Sequence, residues 1–290
     1  MAEHKPGLGR IAVHPRQHAL SSILQHVRAR HPHACKFLAR RFAPGEYLGL
    51  HLTLGLTISI GALWLFVALT EDVLNHTALT GFDVTVLEWL HSNSTEIGMR
   101  IFEAITFLGS PLVLSILGIG LAVYFIRRHA WIFLTSWMAA LIGAGVLDCF
   151  LKAAVQRPRP AYAVAILQGH SFSFPSGHAL ASLMAYGMTA YLVISLRIRK
   201  ASSRITVICL ATILILAIGV SRLYLGVHYF TDIVAGYAAG AVWLSTCVTA
   251  AEVARRQPAP QNSGPCDHLP GGELGPGERH GGEPSRLLLD

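Results

Sequence analysis

Six long apolar runs dominate this chain, at 48–70, 101–126, 130–151, 178–196, 203–221 and 228–250. Each approaches the ~20 residues that an α-helix needs to cross hydrocarbon roughly 30 Å thick at about 1.5 Å per residue. The pattern predicts an all-α, polytopic bundle of six transmembrane helices. Composition agrees: 52% of residues are hydrophobic and 13% charged, and the mean hydropathy is +0.48, so lipid is the expected solvent. A net charge of +7 would fit a nucleic-acid surface if the basic residues formed one patch. They fall instead in short clusters between the apolar runs, as helix-flanking anchors do. The cysteines at 35, 149, 209, 247 and 266 form no Cys-x-x-Cys pair, and three lie within apolar runs, where a thiol behaves as a small hydrophobe. The first run follows a long polar stretch and exceeds the core of a cleaved signal peptide, so it reads as a retained span.

Three regions follow from this layout. Residues 1–47 are His-, Arg- and Pro-rich and read as a cytoplasmic tail with a short interfacial helix near 20–42. Residues 48–250 form the membrane domain. Residues 251–290, dense in Pro and Gly beyond 257, bury too little apolar surface to offset the entropy of ordering and read as a disordered cytoplasmic tail. Between the first two spans, Phe82, Val86, Trp89 and Leu90 recur at helical spacing among Asp83, Glu88 and His91, which predicts an interfacial amphipathic helix. Gly109, Ser110 and Pro111 should kink the second span for packing, because proline removes a backbone donor and clashes one turn back.

Orientation comes from the basic residues. Eighteen of the 23 Lys and Arg fall on the side of the two termini, which places both termini in the cytoplasm by the positive-inside rule. The other five are Arg100, Lys152, Arg157, Arg159 and Arg222. Four of them lie in two loops on the same, extracytoplasmic side, and each loop also brings a histidine to the membrane surface. The first reads Lys152-Ala-Ala-Val-Gln-Arg-Pro-Arg159-Pro160 and closes with Phe174-Pro175-Ser176-Gly177-His178; the second reads Ser221-Arg222-Leu-Tyr-Leu-Gly-Val-His228-Tyr-Phe-Thr-Asp232.

These three pieces, in this order, resemble the signature of the type 2 phosphatidic acid phosphatase superfamily. That signature is a Lys ahead of Arg-Pro, then Pro-Ser-Gly-His, then Ser-Arg ahead of a His followed at four by Asp. The motifs span 152–232 and the six-run layout extends the likeness over 48–250. The residues argue for the same chemistry. Phosphoryl transfer spreads negative charge over three oxygens, so a site without metal needs fixed cations and aimed N–H groups. Lys152, Arg159 and Arg222 supply cations, with Arg suited to paired hydrogen bonds on phosphate. Ser176 and Gly177, at the start of the fourth span, offer backbone N–H groups and the positive end of the helix dipole. His228 and Asp232 share a helical face, so the carboxylate can orient one ring nitrogen and leave the other as nucleophile. His178 is then the acid for the departing group and the base for the water that hydrolyses a phosphohistidine. Arg157 reads as structural, Asp148 as a partner for Lys152, and Glu103 and Tyr162 as interface packing.

No cofactor or metal is expected. The histidines at 14, 18, 26, 31 and 33 lack ligand spacing and any Cys or carboxylate framework. The partners implied are the bilayer and a lipid phosphate. Among the family's membrane substrates, undecaprenyl diphosphate comes first for a compact six-span layout, with phosphatidylglycerophosphate and phosphatidic acid behind it. The vanadate haloperoxidases of the same fold family are soluble, which argues against that activity. A noncatalytic lipid-binding or transport protein would be favoured by loss of a histidine or of the aspartate, and none is missing.

Overall fold

The computed structural model describes residues 47–162 and 172–256, with side chains from 52 onward. The predicted tail helix, the N-terminal histidines and the C-terminal tail beyond 256 lie outside the described residues, while 251–256, expected in that tail, continue the last helix. Among the described residues there are eight long helices and no strand. They are α1 (Tyr47–Asn75), α2 (Ala78–Ser92), α3 (Glu96–Phe107), α4 (Pro111–Arg127), α5 (Trp131–Val155), α6 (Gly177–Arg197), α7 (Ala201–Tyr224) and α8 (Phe230–Arg256). Six stretches are long and apolar enough to cross a membrane, α3 and α4 together forming the second. Their outer faces carry bare apolar side chains such as Trp64, Val146, Phe150 and Ile213, each more than 60% exposed. Water would not tolerate so continuous an apolar surface, and hydrocarbon makes it the low-energy arrangement.

The burial of each span shows which helices form the centre. In α6 and α8, 44% and 39% of the most apolar window is buried, against 6–17% in the other four spans. Both are rich in Ala and Gly, which let helix backbones approach closely where the lipid offers no hydrophobic drive for association. A Cβ on Gly236 would lie 2.6 Å from the Ser176 carbonyl, so α8 presses against the very start of α6. Around this pair, Trp137, Leu180, Met184, Met188 and Leu192 fill the principal core. Indole and phenol groups inside the bundle find backbone acceptors on neighbouring helices: Trp137 Nε1–H donates to Gly118 O at 3.1 Å and Tyr237 O–H to Ile215 O at 2.6 Å.

Two sequence expectations change. The kink at Gly109-Ser110-Pro111 is a full break: Ser110 caps α4, accepting from Val113 N–H at 3.4 Å, with Pro111 in its first turn. Tyr186 O–H takes up the freed Leu108 carbonyl at 2.7 Å, satisfying an acceptor that the break would otherwise orphan. The helix expected between the first spans exists as α2, but its inward stripe is different. Asp83 and Leu87 face the protein and are buried, while Phe82 and Trp89 are 49% and 64% exposed. Spacing reveals an apolar stripe without saying which side it serves: Phe82 and Trp89 face away from the bundle, while Val86 and Leu90 pack against Ala179, Leu223 and Ile233.

Candidate active site

The ends of α5 and α7 and the starts of α6 and α8 meet at one end of the bundle. Lys152 continues α5 beyond its apolar run and pairs with Asp148 one turn earlier, Nζ to Oδ2 2.7 Å. Gly177 lies directly against that pair: a Cβ there would sit 2.9 Å from Asp148 Oδ2 and 3.0 Å from Lys152 Nζ. A side chain at this position would have to displace the ion pair, so glycine at the start of α6 lets the helix end approach it closely. Gln156 then ends α5 in the left-handed region, φ 52°, and turns the chain into Arg157-Pro158-Arg159-Pro160.

Arg159 is half-buried and aims at the second loop. Its Nη1 donates to Val227 O at 2.9 Å and lies 3.3 Å from His228 Nε2. A guanidinium has donors only, so this Nε2 is an acceptor and the neutral ring carries its proton on Nδ1. On the Nδ1 side stand Asp232 Oδ2 and Ser173 Oγ, each at 3.5 Å. Asp232 is fully buried and its acceptor capacity is well used: Oδ2 accepts from Ser173 Oγ and from Tyr229 N–H, the latter at 2.9 Å, and Oδ1 accepts from Arg157 Nη1 at 2.6 Å. The predicted His228–Asp232 alignment is present as a long contact, of the kind that unliganded sites often show.

His228 is only 1% exposed. Burial, against the opposing pull of Asp232 and with Arg159 and Arg222 adding to it, pushes the imidazole down to about 4 from an ordinary 6.5. The ring is thus neutral across the physiological range, with a lone pair on the nitrogen nearest Arg159. Burial also lowers the Arg159 guanidinium, though Asp232 and Asp148 oppose it.

Arg222 sits in the last turn of α7 and is anchored by Nη1 donating to Thr106 Oγ1 at 3.0 Å, beside the α3–α4 break. Its Nε is buried without a partner. His178 occupies the second residue of α6. A Cβ on Gly109 would approach its Cδ2 to 3.3 Å, so the break lets α3–α4 close over that ring. Lys152, Arg159, Gly177, His178, Arg222 and His228 all line one cleft of about 570 Å³.

Ser176 does not join them as expected. Its N–H donates to Asp232 O at 2.9 Å, and its hydroxyl is fully buried and unpartnered behind the cleft. The amides left for an anion at the helix start are those of Gly177, His178 and Ala179, before the first intrahelical bond, Leu180 N–H to Ser176 O at 3.1 Å. Asp232 likewise stands behind His228 and outside the cleft lining. Arg157 is turned inward and only 7% exposed. Glu103 is exposed, and Tyr162 stacks on His91 with ring centroids 3.9 Å apart; neither lines the cleft. Sequence reasoning missed Ser173 and Thr106. Ser173 lies directly before Phe174 in the second motif, where its position was the available signal. Thr106 gave none.

The cleft has an apolar continuation. From the cationic end it runs between α4, α5 and α6 past Pro111, Leu114, Ser115, Ala144 and Gly145 to Leu141. Lys152 and Leu141 are eleven residues apart on α5, or about 16 Å along the helix axis.

A sequence profile described as the PAP2 superfamily matches residues 129–256, which covers α5 to α8 and every motif above. Phosphatidylglycerophosphatase B of Bacillus subtilis (strain 168) is 32% identical over 147 residues, 49% of this chain and 69% of that protein. The crystal structure of a transmembrane PAP2-type phosphatidylglycerolphosphate phosphatase from B. subtilis aligns with a TM-score of 0.58 at 25% identity, over 65% of this chain and 93% of that one. A further solved structure, LpxE of Aquifex aeolicus, gives a TM-score of 0.44 at 20% identity, over 57% and 93%.

Proposed function

This chain belongs to the PAP2 superfamily of membrane phosphatases, and from that premise we propose that it hydrolyses a lipid phosphate through a phosphohistidine, without a metal ion. The observation that carries the lipid reading is the shape of the cleft. Its cationic end fits a phosphate, and its apolar arm runs about 16 Å into the bundle, a length that a sugar phosphate leaves empty and an acyl or prenyl chain fills. A chain passing from bilayer to arm exchanges one apolar surrounding for another, so the arm acts by orienting the phosphate and not by further burial of methylenes.

In this reading Lys152, Arg159, Arg222 and the amides at the start of α6 hold the three non-bridging oxygens. Neutral His228 attacks phosphorus through Nε2 as the bond to the leaving oxygen breaks, and His178, which takes up a proton when the anionic phosphate binds beside it, gives that proton to the oxygen. Asp232, with Ser173, stabilises the positive charge that develops on the ring. In the second half, His178 takes a proton from water, the water oxygen bonds to phosphorus, and the N–P bond breaks to return neutral His228 and free phosphate. One ester bond is exchanged for one water, and both histidines end as they began.

The relative's name moves phosphatidylglycerophosphate ahead of undecaprenyl diphosphate as the substrate. The excess of Lys and Arg at the opposite side supports cytoplasmic termini and an extracytoplasmic cleft. The five basic residues left on the cleft side fit this: three line the cleft, Arg157 pairs with Asp83 and Asp232 behind it, and Arg100 pairs with Glu96 at 2.6 Å. The test is phosphate release by the purified protein in mixed micelles containing EDTA, with phosphatidylglycerophosphate, undecaprenyl diphosphate and phosphatidic acid compared by kcat/KM. Release from at least one lipid, retained in EDTA and abolished by His228→Ala in a folded protein, is expected. Loss on chelation overturns the metal-free mechanism. Binding of all three without release establishes the noncatalytic alternative.

A further inference from the structure

The buried carboxylate Asp83 belongs to none of the motifs. It lies on α2, outside the cleft, and is fully shielded from solvent. A charge so placed is costly unless it is paired and hydrogen-bonded, and both of its oxygens are engaged with the residues that hold the His228–Asp232 pair. Oδ2 accepts from Arg157 Nη2 at 2.8 Å and from the Thr231 hydroxyl; Oδ1 accepts from the Thr231 N–H at 3.0 Å. Arg157 Nη1 then reaches the Thr231 hydroxyl at 2.8 Å and Asp232 Oδ1 at 2.6 Å. Its guanidinium carbon lies 4.1 Å from the centre of the Tyr229 ring. The result is a continuous series: Asp83, Arg157, Asp232, His228.

Two features of this series exceed what simple packing of α2 requires. First, Asp83 takes the outer arm of the guanidinium and so fixes the inner arm on one oxygen of Asp232. The other oxygen is left for Ser173, Tyr229 N–H and the imidazole. Without Asp83, Arg157 would keep its inner arm on Asp232 and Thr231 but lose the contact that fixes the orientation of the guanidinium about it. Second, the unit holds two carboxylates and one guanidinium. The negative charge left over faces the ring that becomes positive when it attacks phosphorus.

We propose that Asp83 is a positioning residue for the reaction, acting from α2 through Arg157 and Thr231 to fix the Asp232 carboxylate against His228. Arg157 is the intermediary and Thr231 the bridge. The proposal rests on the phosphohistidine reading. It assigns α2 a part in catalysis even though no α2 residue touches the cleft.

The test is a double-mutant cycle on kcat in mixed micelles, with Asp83→Asn, Asp232→Asn and both together. KM and competitive inhibition by inorganic vanadate are measured alongside. Misplacement of a reacting group by about 1 Å costs up to roughly 100-fold, so Asp83→Asn is expected to lower kcat about 10- to 100-fold. KM and the vanadate inhibition constant should stay within about threefold, because the phosphate ligands are untouched. In the Asp232→Asn background the same change should alter kcat less than about twofold, since Asp83 has nothing left to act through. An equal loss in both backgrounds, or parallel loss of kcat and vanadate binding, overturns the proposal and leaves α2 a structural support. If Asp83→Asn does not yield a monodisperse protein, Thr231→Val replaces it, removing one bridging hydroxyl at nearly constant shape, with the same split expected at smaller size. A wild type that releases no phosphate defeats the functional reading itself, which is a different outcome from an active wild type indifferent to Asp83.

Discussion

Gly145 offers a direct probe of the apolar arm. It lines the cleft on α5, and a Cβ built there meets nothing within 4 Å. Tryptophan at this position therefore projects into open space, and replacing a helical glycine favours the helix by about 0.5–1 kcal/mol. Gly145 is seven residues from Lys152, about 10 Å along the axis, so the indole obstructs a chain only after it has travelled that far from the phosphate. The chain is in hydrocarbon before and after binding, so the loss is steric: forcing it against the indole costs about 2 kcal/mol, equivalent to roughly 30-fold in kcat/KM. The assay compares wild type and Gly145→Trp on a long-chain lipid phosphate, a short-chain analogue and p-nitrophenyl phosphate. The long-chain substrate should lose about 30-fold, the short-chain analogue and the nitrophenyl ester less than about threefold. Equal loss on all three would mean that the indole disturbs the phosphate end. No loss on the long chain would mean that the arm does not hold it.

Other variants address the phosphate end. Arg222→Lys should lower kcat/KM by about 10²- to 10³-fold, because an ammonium cannot replace both the Thr106 anchor and the unpartnered Nε; near-wild-type activity in steady-state assays contradicts that role. Gly177→Ala drives a methyl into the Asp148–Lys152 pair and should cost at least about tenfold in kcat with little change in Tm, whereas a silent substitution would show that the ion pair yields freely. His228, lowered to about 4, protonates more readily in the unfolded chain than in the folded one. Its contribution is complete above about pH 6.5 and lost as pH falls towards 4, on the order of 3 kcal/mol in all. Melting in detergent should therefore fall more steeply between pH 6.5 and 4 for wild type than for His228→Gln, and parallel curves refute the assignment. His178→Ala should spare vanadate inhibition while lowering kcat at least about 100-fold; equal loss of both makes His178 a phosphate ligand.

The six spans were legible in the sequence because hydrocarbon imposes a length on any helix that crosses it, and the cores of water-soluble proteins seldom call for apolar runs that long. Their far ends were harder to read. The apolar runs ending at 151 and 221 continue as helix to Val155 and Tyr224, since Lys152 and Arg222 point into the cleft and not at lipid. Polarity at a span end is ambiguous between a boundary and a site. The motif residues could be grouped from their order alone, and the folded chain brings Lys152, Arg159, Gly177, His178, Arg222 and His228 to one cleft. The Ser176 amide was counted as free, and only the close seating of α8 on α6 shows that Asp232 O occupies it. Asp83 was grouped with Glu88 and His91 on the polar side of an interfacial helix. In lipid that side can face the protein, where an arginine 74 residues away compensates it. Thr106 and Ser173 are single hydroxyls whose importance arises only where separate helices converge.

The most direct test of the central claim is to trap the covalent intermediate. His178→Ala protein is mixed with ³²P-labelled p-nitrophenyl phosphate, whose nitrophenolate leaves without a general acid, quenched in alkali within one turnover, and mapped by mass spectrometry. A phosphohistidine route predicts an acid-labile, base-stable phosphate on His228 that accumulates because its hydrolysis lacks a base, and that is absent from His228→Ala. Label on any other residue, or turnover without a labelled enzyme, contradicts it.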